Sequence, residues 1–224
     1  LFCYSRYMTR ERKEKIAVSC NVFAGRVVSA PDVESIYDVP LNFEKDNIGE
    51  ILLSELSLTP RTSKTDFALW RRFVTKTKNS TRPIQIAIVG KYFDSGDFLL
   101  SDAYLSVIEA IKFSAYQVGC APEISWLNAL AYEESPRLVA ELRRFDGVII
   151  PGGFGERGVE GKIRAITYVR EKKIPYFGLC YGMQLAVVEY ARNVLGMRDA
   201  HTTEILKDTP YPVIAILPEQ KKLL

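Results

Sequence analysis

Histidine is nearly missing from this sequence: His201 stands alone among 224 residues. Cysteine is scarce too, with Cys3, Cys20, Cys120 and Cys180 and no Cys-x-x-Cys among them. That spacing argues against a zinc site and against a disulfide framework. No apolar run approaches the roughly 18 residues that a bilayer-spanning helix needs, and the first residues do not read as a signal peptide. A strong charge of either sign is also lacking, since 30 basic and 27 acidic residues leave a net +3. Nothing there marks a nucleic-acid or membrane partner. The basic stretch from Arg10 to Lys15 is interleaved with Glu11 and Glu14 and reads as a solvated helix face. These absences lead to the expectation of a soluble protein in a reducing, cytoplasmic setting.

What is present is ordinary globular composition, 47% hydrophobic and 25% charged, on a length that permits one large domain or one and a half smaller ones. Residues 1–59 carry only short elements: a polar helix from Glu11 to Lys15, a brief buried strand at Ile16–Val18, an extended Ser35–Pro40 and a helix over Ile48–Leu56. Such pieces would bury little surface alone, so they read as the end of a domain. Residues 60–82 are a linker with an amphipathic helix. Its apolar face is Phe67, Trp70, Phe73 and Val74, and Thr65 or Asp66 is its expected cap.

From residue 83 to 224 strand and helix alternate, which predicts an α/β fold with a doubly wound, mostly parallel sheet. Ile84–Gly90, Glu123–Leu127, Gly147–Ile150, Ile174–Phe177 and Val213–Leu217 are the expected strands. A helix capped by Ser101 or Asp102 should turn Tyr104, Ile108, Ile111 and Ala115 inward. Pro136–Arg144 and Glu160–Lys172 are two further expected helices. After Gly182, Met183, Ala186, Val187, Tyr190 and Val194 are expected to be the buried face of another.

The most informative stretch is Ile174-Pro-Tyr-Phe-Gly178-Leu-Cys180-Tyr-Gly182-Met-Gln184. An apolar strand ending in Gly-x-Cys-x-Gly and passing at once into a helix is a nucleophile elbow. The glycines remove the side chains that so sharp a turn would crowd. The following helix aims its first N–H groups and the positive end of its dipole at the sulfur, a setting that suits a nucleophilic thiol. An isolated cysteine is more often a small buried apolar residue, but this context favours the nucleophile. A second loop, Pro151-Gly-Gly-Phe-Gly155, leaves the carboxyl end of another strand and can supply backbone N–H groups to an oxyanion. Its spacing matches neither common phosphate-binding glycine pattern.

Pro151–Gly155, Arg157-Gly-Val-Glu-Gly161, Gly178–Gln184 and Thr202-Thr-Glu204 together resemble the glutaminase domain of the CTP synthase family, a class I glutamine amidotransferase. Asp102-Ala-Tyr104 to Glu109 fits the same family, and residues 15–40 resemble the end of its P-loop-type synthetase (amidoligase) domain. The resemblance implies that Cys180 forms a γ-glutamyl thioester and that the amides of Gly153 and Tyr181 form the oxyanion hole. It implies that Gly153, Phe154, Gln184 and Glu204 hold glutamine, with Glu204 on its α-ammonium. Arg157 and Glu160 fall where the family has its GTP effector loop. Lys15 falls near UTP or the inhibitor CTP, and Pro31, Asp32 and Val33 along ATP. The implied reaction is ATP- and Mg²⁺-dependent amination of UTP to CTP with ammonia passed inside the enzyme. The implied assembly is a homotetramer of synthetase domains, with filaments left open.

Three departures qualify the resemblance. Tyr181 stands where the family usually has Leu or another apolar residue. The family's catalytic base comes from a His-Pro-Glu segment, which this sequence lacks, and His201 is not in that position. The synthetase P-loop is likewise not in the sequence. The 224 residues are therefore expected to be part of a longer enzyme and unable to make CTP alone. Another class I amidotransferase, or a non-catalytic amidotransferase-like module with a regulatory or assembly role, are the alternatives.

Overall fold

The computed structural model describes residues 2–3, 6–59, 64–90 and 104–217, which divide into two units, Leu1–Asn79 and Ser80–Leu224. In the first, β1 (Phe2–Cys3) lies parallel to β2 (Val28–Ser29). Between them runs α1 (Arg10–Cys20), opened by Thr9, whose hydroxyl accepts from the Arg12 amide, and closed by Asn21 in the left-handed region. Ile16–Val18, expected as a strand, belongs to this helix. Ala17 is buried there against Met8 and Val27 with Ile16 packed beside it, so a short apolar run inside a polar helix mimicked a strand.

The stretch 35–40 is not extended either. Ile36–Asp38 is a 3-10 turn that leads into α2 (Val39–Lys45), with Pro40 in the first turn. At that position the missing N–H costs nothing, because first-turn amides have no helical partner. Next come α3 (Ile48–Glu55) and α4 (Lys64–Asn79). The fourth helix starts before Thr65, which therefore is not its cap. Trp70 donates its indole N–H to the Tyr37 carbonyl at 3.1 Å, and Tyr37 packs edge-on against Phe73 at 5.2 Å. Lys13 and the Ser29 amide both hold the carboxylate of Asp46, each at 2.8 Å.

The second unit is built on a parallel sheet. It comprises β3 (Arg82–Gly90), β4 (Cys120–Asn128), β5 (Gly147–Ile150) and β6 (Tyr176–Gly178) in the order β4-β3-β5-β6. The helices are α5 (Leu105–Gln117), α6 (Ala129–Glu134), α7 (Val159–Lys172) and α8 (Tyr181–Asn193), with a 3-10 segment at Pro136–Arg144. The positions Ser101 and Asp102 lie outside the described residues. A separate parallel pair joins β7 (Ala200–Thr202) to β8 (Tyr211–Ile214).

Strand alternation sends side chains to both faces. Ala87, Val89, Val148 and Ile150 pack with Ile163, Ile166 and Val169 of α7 and Leu185 and Val188 of α8. Ile84, Ile86, Ile149 and Phe177 face the other way, towards Val107, Ala110 and Ile111 of α5. The sheet is therefore wound on both sides. Each fully buried aliphatic contributes about 1.5–3 kcal/mol by leaving water.

The elbow helix buries a different stripe from the one expected. Tyr181, Leu185, Val188 and Ala191 are inside, whereas Met183, Val187, Tyr190 and Val194 are exposed. The helix is apolar on two stripes, and periodicity alone cannot choose which one the sheet takes.

Candidate active site

Ile150 and Gly178 are register partners at the carboxyl edge of the sheet, and the Leu179 amide extends that ladder to the Ile150 carbonyl at 2.9 Å. Two chain segments leave this edge side by side: Pro151–Gly155 after β5, and Leu179–Cys180 after β6. At such an edge, outside the ends of parallel strands, ligands of doubly wound folds collect.

Cys180 is the residue between β6 and α8, exposed, with φ 49° and ψ −105°. A non-glycine side chain rarely occupies that backbone region, and here the surroundings enforce it. A Cβ at Gly182 would collide with the backbone carbonyl of Ile150, and one at Gly178 would stand 2.6 Å from the Met183 nitrogen. The strand and the first helical turn are thus pressed together as only glycine permits. The turn is tied from both sides: Gly182 donates its amide to the Leu179 carbonyl at 2.9 Å, while Tyr176 donates its hydroxyl to the Gly182 carbonyl at 2.7 Å. Burial pushes the Tyr176 phenol well up, with the Glu189 charge adding to it, so it stays protonated as a donor.

The glycine loop lies beside Cys180. A Cβ built on Gly152 would be 3.6 Å from the Cβ of Cys180. Gly153 is half-buried, and Phe154 beyond it is exposed. Tyr181, the first residue of α8, is buried and donates its hydroxyl to the Gly155 carbonyl at 3.3 Å. Burial, then the charges of Glu204 and Glu156, push that phenol up to about 12. Glu204 is therefore within electrostatic reach of the elbow. It is exposed, just past β7, its amide donated to the Thr202 hydroxyl at 3.2 Å. Gln184 is half-buried in the first turn of α8, and its amide donates to the Cys180 carbonyl at 3.1 Å. Cys180, the Gly152–Gly155 loop, Tyr181 and Gln184 thus gather at one edge, and the charge of Glu204 acts on the Tyr181 phenol there.

Each remaining sequence candidate has its own setting. Arg157 is exposed. Glu160 is bound by Arg192 at 2.9 and 3.2 Å, which ties α7 to α8 and occupies the carboxylate. His201 is buried; its Nδ1 accepts from the Thr202 amide at 2.8 Å, which leaves the proton of the neutral ring on Nε2. Burial, then Arg192, hold its pKa down, against the opposing pull of Glu160 and Glu156. In the first unit, Lys15 is exposed on α1 in a surface hollow with Glu11, Glu14, Val18 and Ser19. Asp32 is exposed, Pro31 is half-buried, and Val33 lines a separate hollow of about 620 Å³ with Glu34, Asp38, Asn42, Lys45 and Lys78. Among the described residues no cluster of His, Cys, Asp and Glu could hold a metal ion, and no helix is long and apolar enough to cross a membrane.

One buried group at this edge was not singled out from the sequence. Lys162 is 1% exposed, with its Nζ 5.3 Å from the centre of the Tyr181 ring and 3.8 Å from where a Cβ on Gly153 would stand. The available signal was its place on the apolar stripe of α7, beside Val159, Ile163 and Ile166.

Comparison with known proteins gives the family. The profile of glutamine amidotransferase class-I matches residues 99–213, and that of CTP synthase N-terminus matches residues 1–58. A CTP synthase of Caldanaerobacter subterraneus subsp. tengcongensis is 46% identical over 217 residues, covering 96% of this chain and 39% of the relative. One from Methanococcoides burtonii is 45% identical over 212 residues, covering 95% of this chain and 38% of its own. The chain thus spans less than two fifths of the length of these relatives. Among solved structures, the Trypanosoma brucei CTPS glutaminase domain with bound acivicin superposes with a TM-score of 0.55 at 35% identity, covering 60% of this chain and 50% of that one.

Proposed function

The chain belongs to the class-I glutamine amidotransferase family, with CTP synthases as its relatives, and we propose that it is the glutamine-hydrolysing part of such an enzyme together with the end of its synthetase domain. On this reading residues 1–59 close the synthetase domain, 60–82 link, and 83–224 form the amidotransferase domain. The observation that carries the proposal is the backbone of Cys180: a thiol held at φ 49° between a parallel strand and a helix, beside a glycine loop.

The sulfur of Cys180 attacks the side-chain carboxamide carbon of glutamine. The carbonyl oxygen becomes an oxyanion, which the N–H groups of Gly153 and Tyr181 stabilise. Collapse breaks the C–N bond, a proton goes to the leaving nitrogen, and ammonia departs from a γ-glutamyl thioester. Water then cleaves the thioester to glutamate and returns the thiol. Phe154 and Gln184 flank the substrate, and the carboxylate of Glu204 pairs with its α-ammonium. Proton transfer is assigned to the family's His–Glu pair and not to His201, whose Nδ1 is already engaged.

The ammonia would pass to the synthetase site of a tetrameric, cytoplasmic enzyme, where ATP with Mg²⁺ would supply the activation of UTP for its amination to CTP. Lys15 and Pro31–Val33 border that nucleotide site. Arg157 and Glu160 lie towards the GTP effector. Among the described residues no cluster of His, Cys, Asp and Glu could hold that Mg²⁺.

The test is made on the full-length protein. Cys180→Ala should lose CTP formation from glutamine and keep it from ammonia. Glutamine turnover that survived the substitution would remove Cys180 from the nucleophile's role.

A further inference from the structure

The two amides assigned to the oxyanion hole sit on different segments. The Gly153 amide rides on the loop after β5, and the Tyr181 amide on the first turn of α8. Their separation decides whether both can reach one oxygen, since such donors must come within about 2.7–3.1 Å of it. A loop of this composition, Gly152-Gly153-Phe154-Gly155, does not hold that separation by itself.

The structure shows what bridges the segments. Tyr181 is 2% exposed, and its side chain crosses from the elbow to the far end of the loop, where its hydroxyl donates to the Gly155 carbonyl at 3.3 Å. The near end of the loop leaves β5 at Ile150, whose carbonyl accepts from the Leu179 amide at 2.9 Å, and Gly152 lies next to Cys180 there, a Cβ built on it standing 3.6 Å from the cysteine Cβ. Gly153 lies between these two points. The ring itself is clamped on a face by the ammonium of Lys162, buried and 5.3 Å from its centre. An ammonium over a desolvated aromatic face is attracted to it, so the ring is held from the α7 side as well.

We propose that the side chain of Tyr181 is a positioning residue for glutamine hydrolysis: it braces the glycine loop against the elbow and so sets the distance between the two oxyanion donors. This rests on the amidotransferase reading above. It adds a role for the side chain to the one the backbone amide already has. The hydroxyl is a donor throughout the working range, because burial keeps the phenol protonated. The bond is longer than the usual 2.5–3.0 Å for O–H···O, so its loss should have a moderate effect.

A brace on the oxyanion hole acts on the transition state more than on bound substrate. In the full-length enzyme Tyr181→Phe, which keeps the ring and its contact with Lys162, should lower kcat for glutamine hydrolysis about three- to tenfold, with KM within about twofold. Affinity for glutamate γ-semialdehyde, which forms a tetrahedral adduct on the thiol, should fall by the same factor as kcat. Tyr181→Leu, which also removes the ring, should cost more, and CTP formation from ammonia should be unchanged in both. An unchanged kcat in Tyr181→Phe would overturn the proposal. So would a rise in KM at constant kcat, or a parallel loss of ammonia-dependent activity that reports general damage. Failure of the underlying reading is distinguishable, because it appears as glutamine turnover in Cys180→Ala.

Discussion

Arg170 holds the carboxylate of Glu189 with two of its nitrogens, Nε at 3.1 and 3.0 Å and Nη2 at 2.9 Å. The pair ties the last turn of α7 to the third turn of α8, the helix whose first residue follows the nucleophile. Glu189 is 1% exposed and also accepts from Asn193 at 3.0 Å. Arg170→Met should therefore destabilise the second unit by about 1–3 kcal/mol, because it strands a buried carboxylate while about a third of the arginine side chain was already exposed. Thermal unfolding should show a Tm lower by roughly 2–4 °C per kcal/mol. Adding Glu189→Leu should recover much of the loss. A double variant no better than the single one would mean that packing, not charge, is what the pair provides.

Gly182→Ala is expected to be the most damaging single-methyl change at the site. Its Cβ would collide with the carbonyl of Ile150 at the sheet edge, and backbone cannot step aside as a side chain can. A loss of about 3 kcal/mol or more is expected. Gly152→Ala is the control: its Cβ meets Cys180 at an ordinary 3.6 Å. That variant should fold with near-wild-type Tm. Measuring both by thermal unfolding separates close approach from loop flexibility as the reason for glycine.

The elbow was legible in the sequence because its physics is local. Gly178, Cys180 and Gly182 lie within five residues, and a sharp turn can be read from spacing alone. The alternation from Ile84 to Ile150 gave the parallel sheet for a similar reason. What was not legible depended on which neighbour an element meets. The α8 stripes through Leu185 and through Val187 are equally apolar, and only the position of the sheet selects the first. Pro40 opens a helix where the residue before proline argued for extended chain, since α2 could place it in the first turn. Lys162 is buried only because the Tyr181 ring and the glycine loop, both distant in sequence, pack beside it.

His201 supplies a pH dependence with a definite sign. Burial, then the nearby Arg192, hold its pKa below the ordinary 6.5, and Glu160 and Glu156 only partly offset this. The folded protein thus favours the neutral ring more than the unfolded chain does. Its contribution to stability is complete above the unfolded value and is lost as pH falls through the lower, folded one. Stability of the second unit should decline on acidification from about pH 7 towards 5, and His201→Gln should flatten that slope. Equal slopes in the two proteins would place the titration elsewhere.

The strain at Cys180 leads to a prediction in which stability and activity move in opposite directions. At φ 49° and ψ −105° a side chain with a Cβ is held in a region that costs of order 1–3 kcal/mol. Glycine occupies it freely, although it adds entropy to the unfolded chain, a loss of about 0.4–1 kcal/mol. The strain is the larger quantity, so Cys180→Gly should stabilise the protein by about 1 kcal/mol while abolishing glutamine hydrolysis. Cys180→Ala keeps the Cβ and the strain, so it should abolish hydrolysis with little gain in Tm. The difference in Tm between these two inactive variants therefore isolates the backbone term from the loss of the sulfur. If alanine stabilised as much as glycine, the unusual backbone would not be a store of strain, and the thiol would owe its exposed position to the packing of Gly178 and Gly182 alone.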